Sequence, residues 1–199
     1  MSIGDRLNKM VGKTRIVVSR ILIHLEGKEA APLLGVLNQA ARDAVDSDGD
    51  LEVIGESLVN ICEALLQYEQ YWQSAANEGD IFWKEEEAGD YITNLFTDSA
   101  QRYLSQPDLD TPLPEDELLS LSASPNLIVM ITVAFEGENP DLETDLAERE
   151  TLTYGLKALI NLNYQKQYRA IQIHFSPARL GEELTSEQIL LNFPELIPL

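Results

Sequence analysis

LIVMITVAFEG, Leu127 to Gly137, is apolar on both of its alternating faces. A strand with one wet face alternates apolar with polar, so this run predicts an inner strand covered on both sides. Downstream, after ENPD, apolar residues at Leu146, Leu152, Leu156, Leu159 and Ile160 predict an amphipathic helix from roughly 142 to 162. YRAIQIHFSP then alternates Ile171, Ile173 and Phe175 with Gln172 and His174, the period of a second strand. The tail TSEQILLNFPEL opens with Thr185 and Gln188 spaced as a capping box and Leu184 placed to staple onto Ile189, which predicts a short closing helix.

Upstream, prolines at 107, 112, 114 and 125 among many acids mark an irregular connection, with one short helix over 115 to 121. RIVVSRILIHLEG, Arg15 to Gly27, is rich in β-branched residues and reads as a strand with Val17, Ile21, Ile23 and Leu25 on one face; a helix is the competing reading. Pro32 near a helix start precedes a stripe of Leu33, Leu34, Leu37, Ala41, Ala44 and Val45. Asp50 is placed to cap a second helix with the seam Leu51, Ile54, Leu58, Ile61 and Leu65. A third helix is expected from about Ile81 to Leu104. The fold class is therefore α+β: a small, mainly antiparallel sheet of about three strands packed with four to five helices, the N-terminal half largely helical. Residues 1–14 form a basic arm and residues 15–199 a single domain with an internal connection near 105–125.

The chain has 199 residues and a formal net charge of −20, which argues against nucleic acid as a partner because phosphate binding needs clustered Lys and Arg. Residues 1 to 29 hold six Lys or Arg against three acids, and the excess of acid lies beyond them. Peripheral membrane contact through Arg6, Lys9 and Lys13 is a minor alternative to a frayed terminus. One cysteine rules out an intrachain disulfide, no apolar run is long enough for a membrane span, and no secretory signal is visible, so a cytoplasmic location is expected.

No phosphate loop, nucleophile elbow, zinc motif or paired-cysteine cluster occurs, so no cofactor, metal site or catalytic residue is assigned and the balance leans away from an enzyme. His24 and His174 lie on strands and are candidate polar anchors, close together if their strands pair. Exposed strand-face histidines are the plainer reading. Cys62 sits on an apolar helix seam without a basic neighbour and reads as core. Asp46, Asp48 and Asp50 begin like a calcium loop, but position twelve is Ser57 where a glutamate is required. Tyr68, Tyr71 and Trp72 close the second helix and are either core or a partner-binding patch.

EALLQYEQYW, SPNLIVMITVAFEG, YRAIQIHFSP and LTSEQILLNFPELIPL, in this order, resemble the domain-of-unknown-function family numbered 1517, over roughly residue 15 to the end. The resemblance implies an α+β domain of a cyanobacterial or plastid lineage, with no catalytic residues to carry over. Many relatives have a hydrophobic segment and a glycine-rich stretch ahead of the domain. Neither is present in this sequence, so a form without a membrane anchor is expected. The leading expectation is a non-catalytic protein-binding or regulatory domain whose partner has a basic surface. A small-molecule-binding protein or enzyme with a site between sheet and helices, and a structural homodimer built on an open sheet edge or on the aromatic patch, are the alternatives.

Overall fold

The computed structural model describes residues 14–102, 126–177 and 183–199. The first arm and the proline-rich connection, with its short helix over 115 to 121, lie outside the described residues apart from Thr14. Two long strands organise the rest. β1 (Ile16–Glu26) and β3 (Asn126–Glu136) pair antiparallel from Ile16↔Glu136 to Glu26↔Asn126, and every residue of both is buried except the terminal glutamates. The strand reading of residues 15–26 holds over the helical one. β2 (Trp72–Phe82) lies on the free side of β1, β4 (Tyr168–Ser176) on the free side of β3, and β5 (Ile197–Pro198) against β2. The order is β4-β3-β1-β2-β5, and each pairing is antiparallel.

β3 is apolar on both faces and β1 largely so, and helices cover both. α1 (Ala31–Asp46), α2 (Leu51–Gln67) and α4 (Arg149–Tyr164) pack on one face, where Val17, Ile21, Ile23 and Leu25 meet Leu58, Ile61, Leu65, Leu156 and Leu159. α3 (Glu85–Gln101) and α5 (Ser186–Asn192) cover the other. There Ile16 and Val18 meet Ala88, Ile92 and Leu95, while Leu22, Ile128 and Met130 meet Leu184, Ile189 and Phe193. Each fully buried side chain of this size contributes about 1.5–3 kcal/mol. The caps are as the spacing predicts: Asp50 Oδ1 accepts from Glu52 and Val53 N–H at 3.0 and 3.1 Å. Gln188 N–H donates to Thr185 Oγ1 at 3.2 Å and Thr185 N–H to Gln188 Oε1 at 2.8 Å.

Three expectations need correction. The described sheet has five strands instead of about three, because β2 and β5 were not foreseen. The helices of the first half are correspondingly interrupted: α2 stops at Gln67, a 3-10 turn spans Glu69–Tyr71, and the chain then runs extended to Phe82 before α3 begins at Glu85. Nothing in QSAANEGD favours a strand by propensity; the unsatisfied edge of β1 and the small size of Ala75, Ala76 and Gly79 decide it. A Cβ on Gly79 would lie 2.4 Å from the Val18 carbonyl oxygen, so β2 reaches β1 there only as glycine. Lastly, α4 starts at Arg149 and not near 142. Asn77 holds the preceding segment extended, its Nδ2 donating to the Thr144 carbonyl at 2.9 Å and its Oδ1 accepting from Leu146 N–H at 2.8 Å.

Candidate functional site

His24 and His174 point to the same side of the sheet, under α3 and α5, but their strands do not pair. β3 runs between them, His24 opposite Ile128 and His174 opposite Met130. Both are buried, at 9% and 7% exposure, so neither is the exposed strand-face residue of the plainer reading. The side-chain Oδ1 of Asn126 lies 3.0 Å from His24 Nε2, which must donate to it; Nδ1 then accepts from the Ser74 hydroxyl at 3.2 Å. Asn126 Nδ2 donates onward to the Leu184 carbonyl at 2.8 Å. The chain Ser74–His24–Asn126–Leu184 thus stitches β2, β1 and β3 to the approach of α5 with a neutral imidazole, and burial lowers the His24 pKa despite the Asn126 bond. His174 is pushed down to about 4 by burial and by the Arg20 guanidinium. Both histidines are therefore buried, and burial is the first cause of the lowered pKa of each.

Arg20, 3% exposed in the middle of β1, is the hub of the same face. Its guanidinium donates to Glu78 through Nε at 2.9 Å and through a second nitrogen, to Asp98 at 2.5 Å and to Ser99 Oγ at 3.0 Å. Burial opposes its charge, but the bonds to Asp98 and Glu78 outweigh that and raise its pKa. Asp98 is held below the usual carboxylate range: desolvation raises it, and the Arg20 and Arg102 guanidiniums more than reverse this. Arg102 continues the chain to Glu195 and lies over the Phe193 ring at 5.8 Å. The sequence Glu78, Arg20, Asp98, Arg102, Glu195 therefore clamps β2, β1, α3 and the C-terminal tail into one unit.

Beside this clamp a groove of about 1020 Å³ wraps the outer edge of β2. β5 pairs only with Ser74 and Ala75, and from Ala76 onward β2 has no outer neighbour among the described residues. One wall is α3 and the tail, with Asn94, Asp98, Arg102 and Glu195; the other is the segment Leu142–Ala147 on the opposite face of the sheet. Six carboxylates, Glu78, Asp80, Asp98, Glu143, Asp145 and Glu195, line it against two guanidiniums, Arg20 and Arg102. Glu143 is held by Arg15. Asp80 and Asp145 instead accept from backbone N–H groups of Ile81 and Ala147, with no cationic partner among the described residues. Ser19, 2% exposed, also lines the groove, its hydroxyl lacking a partner among the described residues.

A family model described as a protein of unknown function (DUF1517) matches residues 15–199, spanning every described strand and helix. This chain belongs to the DUF1517 family. Neither the curated proteins nor the solved structures contain a match.

Within this DUF1517 domain the aromatic cluster divides. Trp72 is fully buried in the main core and is not available as a surface anchor, whereas Tyr68 and Tyr71 are half-buried with ring centroids 6.1 Å apart. Cys62 is buried on the α2 seam, and burial drives its thiol pKa far up. Asp46, Asp48 and Asp50 form the α1–α2 turn, with Asp48 and Gly49 at positive φ. Among the described residues no group of three or more His, Cys, Asp or Glu is placed to hold a metal, and no helix is long and apolar enough to cross a membrane.

The groove was missed from the sequence because its acids come from β2, α3, the Leu142–Ala147 segment and the tail, with no shared spacing. The face of the sheet under α3 and α5 also carries buried polar side chains that do not line the groove. Thr132, Gln172 and Ser176 share that face with His174, and each has a buried side-chain oxygen without a partner among the described residues. An unsatisfied buried hydroxyl costs about 1–3 kcal/mol. Thr132→Val removes the hydroxyl at nearly constant shape and is expected to raise the unfolding free energy by about 1 kcal/mol. Urea titration followed by circular dichroism reads this directly, and a fall in stability would mean that the hydroxyl is satisfied after all.

Proposed function

We propose that this domain is a non-catalytic protein-binding or regulatory module of a photosynthetic organism, acting in the cytoplasm on a partner with a basic surface. The observation that carries this reading is the acidic groove along the outer edge of β2. Its carboxylates outnumber its guanidiniums, Asp80 and Asp145 have no cationic partner among the described residues, and the whole chain is at −20. In such a groove charge sets the sign of the partner and the encounter rate. The alternative of a small-molecule site anchored by His24 or His174 is weaker, because both imidazoles are held neutral by burial and neither lines the groove. A homodimer paired through β2 would set Glu78 and Asp80 against their own copies, which like-charge repulsion disfavours.

Affinity capture of the tagged protein from a photosynthetic cell extract tests the reading. A basic partner retained at low salt is expected to be lost once the screening length falls below about 10 Å. The double substitution Asp80→Asn with Asp145→Asn should lose most of that retention. A partner held equally by the double variant, or held independently of salt, would set the groove aside.

A further inference from the structure

Resting on that reading of the groove, we propose that its occupant is an extended basic segment of the partner, added to the sheet as a strand beside β2. The argument starts from the backbone. From Ala76 to Ile81 the outer edge of β2 offers a row of amides and carbonyls with no strand partner among the described residues, and Glu78 to Ile81 are exposed. Six residues of strand span roughly 20 Å, a length that peptides use when they add to a sheet edge. Long bare edges are ordinarily shortened, twisted away or covered, so this one, left between two walls, is shaped for an added chain.

The walls fix the chemistry of that chain. In an added strand successive side chains point to opposite faces. Those pointing to one side meet the α3 wall, where Asp80 stands in register with Val18 on the face that packs against α3. Those pointing to the other meet the segment Leu142–Ala147, where Asp145 stands. Each wall thus presents one carboxylate without a cationic partner among the described residues, so a segment with Lys or Arg at two neighbouring positions satisfies both. The clamp of Arg20, Asp98, Arg102 and Glu195 fixes one wall to the sheet, and Asn77 fixes the other through Thr144 and Leu146. Both walls are in place before any partner arrives, which lowers the ordering cost of docking.

The probe is a ten-residue Thr/Val peptide with lysines at two neighbouring central positions, titrated into the full chain by fluorescence anisotropy. Two further versions carry backbone N-methyl groups on alternate residues, one on each set. Binding is expected for the parent peptide, at least ten-fold weaker binding for one methylated version and unchanged binding for the other. Only one set of amides in an added strand faces β2, whereas simple charge attraction treats both versions alike. The alternate amides between Ala76 and Ile81 that face away from β1 should gain hydrogen-exchange protection, and Asp80→Asn with Asp145→Asn should weaken the parent peptide at least five-fold. Equal affinity of all three peptides, or no gain in protection, would overturn strand addition while leaving a salt-sensitive partner intact. If the peptide enters only after Arg6→Glu, Lys9→Glu and Lys13→Glu, the chain's own arm fills the groove and the proposal fails. It fails equally if a dimer in sedimentation has to dissociate first.

Discussion

Trp72→Ala is expected to lower the unfolding free energy by about 3–5 kcal/mol, the largest effect of any single substitution considered for this domain. Trp72 is fully buried where β2 enters the sheet. It belongs to the core formed by β1, β3 and the helices α1, α2 and α4. Its carbonyl accepts from Arg149 at 2.6 Å, and Arg149 also donates to the Glu69 carbonyl at 2.8 Å. Truncation therefore opens a cavity at the point that ties the 3-10 turn and β2 to the start of α4. The indole N–H has no partner among the described residues, so Trp72→Phe removes an unsatisfied donor along with part of the volume and should cost far less than alanine. Urea unfolding followed by circular dichroism reads both. A Trp72→Ala protein of unchanged stability that had lost its partner would restore the surface-patch reading of this residue.

The second large effect is a loss of stability in mild acid. His174 has a folded pKa of about 4 against 6.5 for the unfolded chain. Above pH 6.5 neither state binds the proton, and the group contributes no pH dependence. As pH falls from 6.5 towards 4 the unfolded chain takes up the proton and the folded one does not, so folding weakens by about 3 kcal/mol over that window. His24, also lowered, adds in the same direction. Arg20 on β1 faces His174 and shares in the lowering, while Asp98 on α3 is neutralised by Arg20 and Arg102 and loses its own contribution only below the usual carboxylate range. His174→Leu should flatten the slope between pH 6.5 and 4. The quantity to read is the difference between the two stability curves, since the many surface carboxylates titrate alike in both proteins. Parallel curves would mean that His174 is protonated as readily folded as unfolded.

β3 was legible because both alternating sets of its positions are apolar, a pattern that forces helices onto two faces, whereas β1 was legible only from its β-branched residues and the apolar set Val17, Ile21, Ile23 and Leu25, with a helix still competing. The same alternation placed His24 opposite in phase to Ile21 and Ile23, hence on the second face. β2 was not legible, since Ser74 to Asp80 contains no β-branched or aromatic residue and adopts its conformation only because β1 presents an open edge. Trp72 looked like the end of a helical aromatic cluster for the same reason: with β2 unseen, nothing reversed the chain before it. The start of α4 was read too early because Leu142 and Leu146 are buried from an extended segment held by Asn77, and burial alone carries no mark of helix or strand. The groove depends on all three of these features, which is why its carboxylates could not be singled out from the rest.

The place of β1 in the sheet also bears on how the chain is made. β1 is synthesised first, yet it lies between β2 and β3, and Ile16 finds its second partner only at Glu136. At translation rates of about 5–20 residues per second, a stretch of more than a hundred residues leaves that side of β1 open for on the order of 10 seconds. During that interval a largely apolar strand of eleven residues waits with one edge unpaired. Arg20 sits near its middle, and before it meets Glu78 and Asp98 it is the one formal charge between Ile16 and Leu25, the kind of residue that keeps such segments from associating with one another. The side chain that later locks α3 to the sheet therefore first serves the nascent chain as a gatekeeper.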